Sequence, residues 1–220
     1  MELDIGVIDV NTCEPLPNVL IDLWHCNATG SYSSYTGRDP NTPFEQLLSE
    51  IGIDDPSNYS DFRFLHTDDT TFLRGMWPTD ANGATSFSSI FPGFYIERSI
   101  HIHVQVHTNW SVIANGTISH SRVVETGQIF FDEALEAEIM ALEPYVNHTQ
   151  IERLKNSDDT IFYEHAQSGA MVTVDTEPLD GVDYKNGVLG YVTLGVDTTT
   201  IKNGTTASPL GEAINSTSSS

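Results

Sequence analysis

Short apolar stretches recur along the chain, several of them alternating with polar residues, and turn-forming residues separate them. LDIGVIDV (3–10) and NVLIDLWH (18–25) are rich in Val, Ile and Leu and flank a proline-containing turn, which predicts two strands. Further strands are predicted at 84–91 (ATSFSSIF), 100–107 (IHIHVQVH), 127–131 (GQIFF), 170–175 (AMVTVD) and 189–197 (LGYVTLGVD). Turn signals such as Asp80-Ala81-Asn82-Gly83 lie between them. A helical repeat shows at 132–142 (DEALEAEIMAL), where Asp132 is placed to cap the first turn, and more weakly at 149–155. Residues 36–71 are polar, are broken by Pro, Gly and Asp, and read as a long loop. The rhythm predicts an all-β fold: a two-sheet β-sandwich with long loops and one or two short helices, in one domain over 1–200. A flexible Ser/Thr-rich tail follows at 201–220, and no internal repeat is present.

Composition narrows the partners. At 220 residues and 39% hydrophobic the chain can bury an ordinary core, and no apolar run nears the roughly 18 residues of a membrane span. Nine Lys and Arg against 31 Asp and Glu give a net charge of -22, a field that repels phosphate backbones and anionic lipid and weakly disfavours anionic substrates. Nucleic acid and membrane are therefore not expected partners. Asn27, Asn58, Asn109, Asn115, Asn147, Asn203 and Asn215 each begin an N-x-[ST] triplet, where chance gives roughly two or three. This excess predicts a secreted glycoprotein, against the plainer reading of a Thr- and Asn-rich cytosolic protein. The start MELDIGVIDV has no basic segment followed by an apolar one, so a secretory signal and some mature sequence are expected to precede it.

Cys13 and Cys26 leave alternatives open: a bond to each other, or a partner in sequence expected to precede the chain. In an oxidising compartment they could join, closing a short loop worth about 3 kcal/mol. If strands 3–10 and 18–25 form a straight hairpin, however, Cys13 sits at its turn and Cys26 at its far end, out of bonding reach.

The candidate chemistry begins at Ile100-His101-Ile102-His103-Val104-Gln105-Val106-His107. On a strand the Ile and Val residues share one face, and His101, His103, Gln105 and His107 share the other. Two residues of strand span about 6.6 Å, so His101 and His103 can reach one metal, whereas His107 lies about 20 Å from His101 and cannot. A bare HxH pair is a weak signal, because buried histidines often only satisfy hydrogen bonds. The flanking residues sharpen it: Gly30-Ser31-Tyr32, then Pro92-Gly93-Phe94-Tyr95, then Arg98 three residues before His101, then Gln128 on a later strand.

This order of G-x-Y, P-G-x-Y, R-x-x-H-x-H and a strand Gln resembles the intradiol ring-cleavage dioxygenases, the group of catechol and protocatechuate dioxygenases, and is most similar to their secreted fungal branch. The likeness runs from about residue 3 to 197. It implies a mononuclear non-haem Fe(3+) held by Tyr32, Tyr95, His101 and His103, with Tyr95 the phenolate released when substrate binds. Tyr35 rivals Tyr32, which is preferred because it stands two residues after Gly30. The implied reaction takes a small aromatic diol and O2 to a cis,cis-muconate-type diacid. Arg98 and Gln128 match the pair expected to orient the ring and stabilise its developing negative charge. The residue types suit that chemistry, since a hard ferric ion favours imidazole and deprotonated oxygen donors.

Competing readings stand beside these. Arg98 is otherwise a surface ion-pair residue, Trp24 and His25 shape core and pocket wall, and His66, His120, His148 and His165 are solvated. A zinc hydrolase or ferrous oxygenase would need a carboxylate beside His101 and His103. A transthyretin-like binding module would need no metal. The helical or paired chains by which family members oligomerise are not visible in the sequence, so an oligomer is possible but not readable.

Overall fold

The computed structural model describes residues 1–55, 62–167 and 173–200. Its elements in chain order are β1 (Glu2–Asp9), β2 (Leu20–Trp24), α1 (Phe44–Glu50), β3 (Arg74–Pro78), β4 (Ala84–Ser88), β5 (His101–Val112), β6 (Ile118–Phe130), α2 (Glu133–Met140), α3 (Thr160–Gln167), β7 (Asp175–Pro178) and β8 (Val188–Val196). The strands form two four-stranded sheets, ordered β4-β1-β8-β7 and β3-β2-β5-β6. The fold is the expected all-β sandwich.

Leu3, Ile5 and Val7 of the first sheet meet Ile21, Leu23, Ile102, Val104 and Val106 of the second in one core. Because alternate residues on a strand point to opposite faces, this commits His101, His103, Gln105 and His107 to the far side of the second sheet. That side is roofed, and every residue of β5 from His101 to His107 is buried.

Several expectations needed correction. β1 and β2 do not form a hairpin: they lie in different sheets, with β1 running parallel to β8 and β2 antiparallel to β5. After β1 the chain pairs back only briefly, at Ile8 with Pro15, before crossing the sandwich. Cys13 is exposed, Cys26 is buried and donates its thiol to the Gly93 carbonyl at 3.3 Å, and both are free. The strand expected at 127–131 is the end of a longer one, β6. The strand expected at 170–175 falls partly outside the described residues, and pairing is seen at Asp175–Pro178. α2 forms with Asp132 capping Ala134 and Leu135, but 149–155 is not helical. α1 falls inside the expected long loop, and α3 and β3 were not anticipated. The tail lies outside the described residues, as do Asn58, Asn203 and Asn215. No described helix is long and apolar enough to cross a membrane.

His25 is part of this core. Its Nδ1 donates to the Cys26 carbonyl at 2.8 Å, and its Nε2 is 2.8 Å from the Ser89 hydroxyl. Burial lowers its pKa to about 4. The unfolded chain takes up this proton near pH 6.5 and the folded chain only near 4, so the folded state loses stability as pH falls through that window. We expect about 3 kcal/mol of acid destabilisation from this residue, and a flatter dependence of the urea midpoint on pH in His25→Gln. Equal slopes in the two proteins would contradict it.

Candidate metal centre

Each tyrosine of interest lies two residues after a glycine, and the structure supplies a physical reason. Gly30 has φ +84°, and a Cβ there would lie 2.2 Å from the Phe94 carbonyl oxygen. A Cβ on Gly93 would lie 2.5 Å from the Ala28 carbonyl oxygen, and the Gly93 N–H donates to the Asn27 carbonyl at 3.2 Å. The two tyrosine-bearing segments are thus pressed backbone to backbone, at a separation no side chain allows. Local bonds hold the first of them. The Asn27 side-chain oxygen accepts from the Thr29 and Ser31 N–H groups at 3.0 Å each, and Trp24 Nε1 donates to Ser33 Oγ at 2.9 Å.

The result is a cluster of four donors. The hydroxyl oxygens of Tyr32 and Tyr95 each lie 3.4 Å from His101 Nε2, and His103 Nε2 lies 3.3 Å from the same atom. The Tyr32 and Tyr95 rings meet edge to face, with centroids 5.6 Å apart. His101 Nδ1 is 2.7 Å from the Ser99 carbonyl. A carbonyl only accepts, so Nδ1 carries the proton and Nε2 turns its lone pair to the cluster.

Beside the donors, Arg98 Nη1 is 3.3 Å from the Tyr95 hydroxyl and its Nη2 donates to Gln128 Oε1. Gln128 Nε2 is in turn 3.4 Å from His103 Nδ1. The β5–β6 register explains this, since His103 and Gln128 are direct cross-strand partners. All six sequence-chosen residues, Tyr32, Tyr95, Arg98, His101, His103 and Gln128, therefore meet in one place. Tyr35 stands in the wall of the adjoining cavity, its ring 6.0 Å from Trp24 and edge-on to His66 at 4.7 Å. His107 is distant from the cluster and stacks on His120 at 4.1 Å.

One expectation about the surroundings fails, and so does the competing reading of Arg98. His148 is not solvated: it is buried, stacked on Phe94 at 4.5 Å, and its Nε2 is 2.8 Å from Asn41 Oδ1. Arg98 is not a surface ion-pair residue, since its partner Asp159 is fully buried and accepts from Arg98 Nε at 2.8 Å. Asp159 was missed in the sequence, although an acidic residue directly before TIFYEHAQ is an N-cap signature.

Burial shapes the donors' proton affinities. It pushes the Tyr95 phenol up to about 12, with the neighbouring Arg98 charge pulling the other way. It raises Tyr32 well above the usual range, reinforced by Tyr95. Burial, with the Arg98 charge and His103 adding, drives His101 well below the ordinary imidazole range. Tyr32, Tyr95 and His101 are therefore neutral at pH 7, and only a bound cation would make phenolate the resting form of the tyrosines.

The donor spacing fits such a cation. Atoms held about 2.1 Å from one ion at angles of about 100–110° lie roughly 3.2–3.4 Å apart. No carboxylate joins the cluster, and among the described residues no group of three or more His, Cys, Asp or Glu is arranged to hold a metal. That weighs against a zinc or two-His-one-carboxylate site. The donors face a cavity of about 430 Å³, walled by Tyr35, Phe44, Leu47, Leu65, Ile96 and Ile161.

Comparison with known proteins bears on the fold. No family model and no curated protein matches the chain. Solved structures do match. An intradiol ring-cleavage dioxygenase from Tetranychus urticae is 25% identical with a TM-score of 0.69, covering 92% of this chain and 83% of its own. A second crystal structure, of a dioxygenase, is 24% identical with a TM-score of 0.66, covering 92% and 82%. The chain has the fold of the intradiol ring-cleavage dioxygenases.

The backbone contact at Gly30 makes a direct prediction. Gly30→Ala combines a clash with a left-handed backbone and should cost more than about 2 kcal/mol. It should also weaken ferric iron binding, because Tyr32 is displaced from Tyr95. Thermal unfolding and iron titration check this, and a variant matching the wild type in both would contradict it.

Proposed function

We propose that the chain is a non-haem ferric iron dioxygenase performing intradiol cleavage of catechol-type aromatics to cis,cis-muconate-type diacids, with both atoms of O2 incorporated. The observation that carries this reading is the meeting of two phenol oxygens and two imidazole nitrogens, with Tyr32 Oη, Tyr95 Oη and His103 Nε2 each 3.3–3.4 Å from His101 Nε2, beside a mostly apolar cavity. Similarity to the Tetranychus urticae dioxygenase supports it. Tyr32, Tyr95, His101 and His103 hold one ion. A ferric ion there supplies Lewis acidity toward the diol oxygens and withdraws electron density from the ring.

The chain's own groups do the rest. Tyr95 Oη is the base placed to take a hydroxyl proton from the entering diol, and with its pKa pushed up to about 12 the phenol keeps that proton at neutral pH. Arg98 Nη1 and Nη2, beside Tyr95 and Gln128, stabilise negative charge arising on the ring. Gln128 braces His103 and helps set the ring's orientation. Phe44, Leu47, Leu65, Ile96 and Ile161 exclude water from the bound face of the substrate.

Neutral catechols fit better than carboxylated ones. Most of the wall is apolar, its charged lining sets Asp39 and Glu97 against Arg38 and Arg98, Asp159 balances the charge of Arg98, and the chain carries a net charge of -22. The exposed Asn109, Asn115 and Asn147 support an extracellular glycoprotein.

Oxygen uptake by iron-loaded protein should be faster per molar substrate with catechol or hydroxyquinol than with the carboxylates protocatechuate and caffeate, and the reverse order would contradict the charge argument. The protein should be burgundy through phenolate-to-iron charge transfer, with a band that shifts on adding catechol, whereas a zinc site or binding module would be colourless. Tyr95→Phe should keep iron but lose about 10²-fold or more in turnover, and His103→Ala should not hold the metal. An unchanged rate in Tyr95→Phe would remove that residue from the mechanism. Mass loss on deglycosylating protein from a eukaryotic secretory host would check the extracellular assignment, and an unmodified mass would contradict it.

A further inference from the structure

The usefulness of Arg98 depends on where its guanidinium is held. Arginine is a long side chain with about 2 kcal/mol of rotamer entropy, and from its own loop the planar head is met by the Tyr95 hydroxyl at 3.3 Å, a contact too long to fix it. Asp159 does. One of its oxygens, Oδ2, accepts from Arg98 Nε at 2.8 Å, from the Ser99 N–H at 2.9 Å and from Ser99 Oγ at 3.1 Å. The other, Oδ1, accepts from the Ile161 N–H at 2.9 Å and the Phe162 N–H at 3.1 Å, capping α3. The carboxylate has no solvent exposure.

With Nε bound on its far edge, the guanidinium turns its other two nitrogens inward. Nη1 lies 3.3 Å from the Tyr95 hydroxyl and Nη2 donates to Gln128. Asp159 also balances a cation that would otherwise be desolvated without a partner. Through its second oxygen the same residue anchors α3, whose Ile161 lines the cavity.

We infer that Asp159 is a positioning residue for ring cleavage, acting through Arg98 rather than touching substrate; this rests on the function proposed above. The rival account is that Asp159 only caps α3. The two roles use different oxygens, so substitution separates them. Asp159→Ser keeps a favoured N-cap acceptor but is too short to reach Arg98, whereas Asp159→Ala loses both roles. Asp159→Asn, also a good cap, would turn its amide nitrogen toward the Arg98 and Ser99 N–H donors. It serves under the same criteria should the serine variant fail to fold.

Two measurements are made on each protein. With iron-loaded protein and catechol, kcat in Asp159→Ser should fall about 10–100-fold below its unfolding temperature, with KM changed far less and iron content per folded protein near wild type. In metal-free protein, the ¹⁵N–¹H signal of Arg98 Nε, assigned by its loss in Arg98→Lys, should exchange slowly with water in the wild type and rapidly in Asp159→Ser. A serine variant with wild-type kcat, or one whose Nε–H stays protected, overturns the inference. Should the wild-type chain cleave no diol, the reaction assignment falls, and the exchange comparison alone decides whether Asp159 fixes Arg98.

Discussion

Everything at the candidate centre depends on two stretches of backbone touching without a side chain between them. Gly30 against Phe94 and Gly93 against Asn27 and Ala28 bring together segments more than sixty residues apart, and each then delivers a tyrosine two positions on. The histidines need no such device, because β5 alone sets His101 and His103 on one face and the sandwich core holds that strand. Half of the cluster therefore rests on sheet register, the more rigid part of the fold, and half on loops that are precise only because glycine lets them interlock.

The electrostatics follow from that enclosure. Two phenols and two imidazoles are packed in a desolvated space where burial favours the uncharged form of each. The guanidinium beside them, Arg98, is matched by Asp159. Such a pocket is prepared for a cation that can exchange its charge for the phenol protons, and for a neutral diol that can do the same. The apolar wall keeps water from competing for those positions.

Much of this was legible in the chain. Alternation in 100–107 identified β5 and its histidine-bearing face, whereas both tyrosines were marked by the resemblance of G-x-Y and P-G-x-Y to the dioxygenase pattern; the close approach that requires those glycines shows only in the fold. Gln128 was found as a strand residue, although only the register shows it beside His103. Less was legible where tertiary contact outweighs local pattern. β1 and β2 have the look of a hairpin, yet pair with β4, β8, β3 and β5. His148 sits in a polar stretch but is buried by stacking on Phe94. Asp159 and α3 carry a capping signature, but its importance comes from Arg98, sixty-one positions earlier.

Resonance Raman spectroscopy of the iron-loaded protein, excited in its visible band, tests most directly whether these four donors share one ferric ion. Enhanced tyrosinate ring vibrations are expected, reduced in Tyr32→Phe and in Tyr95→Phe and unchanged in Tyr35→Phe. A spectrum without tyrosinate modes, or one altered by Tyr35→Phe and not by Tyr32→Phe, would contradict the account.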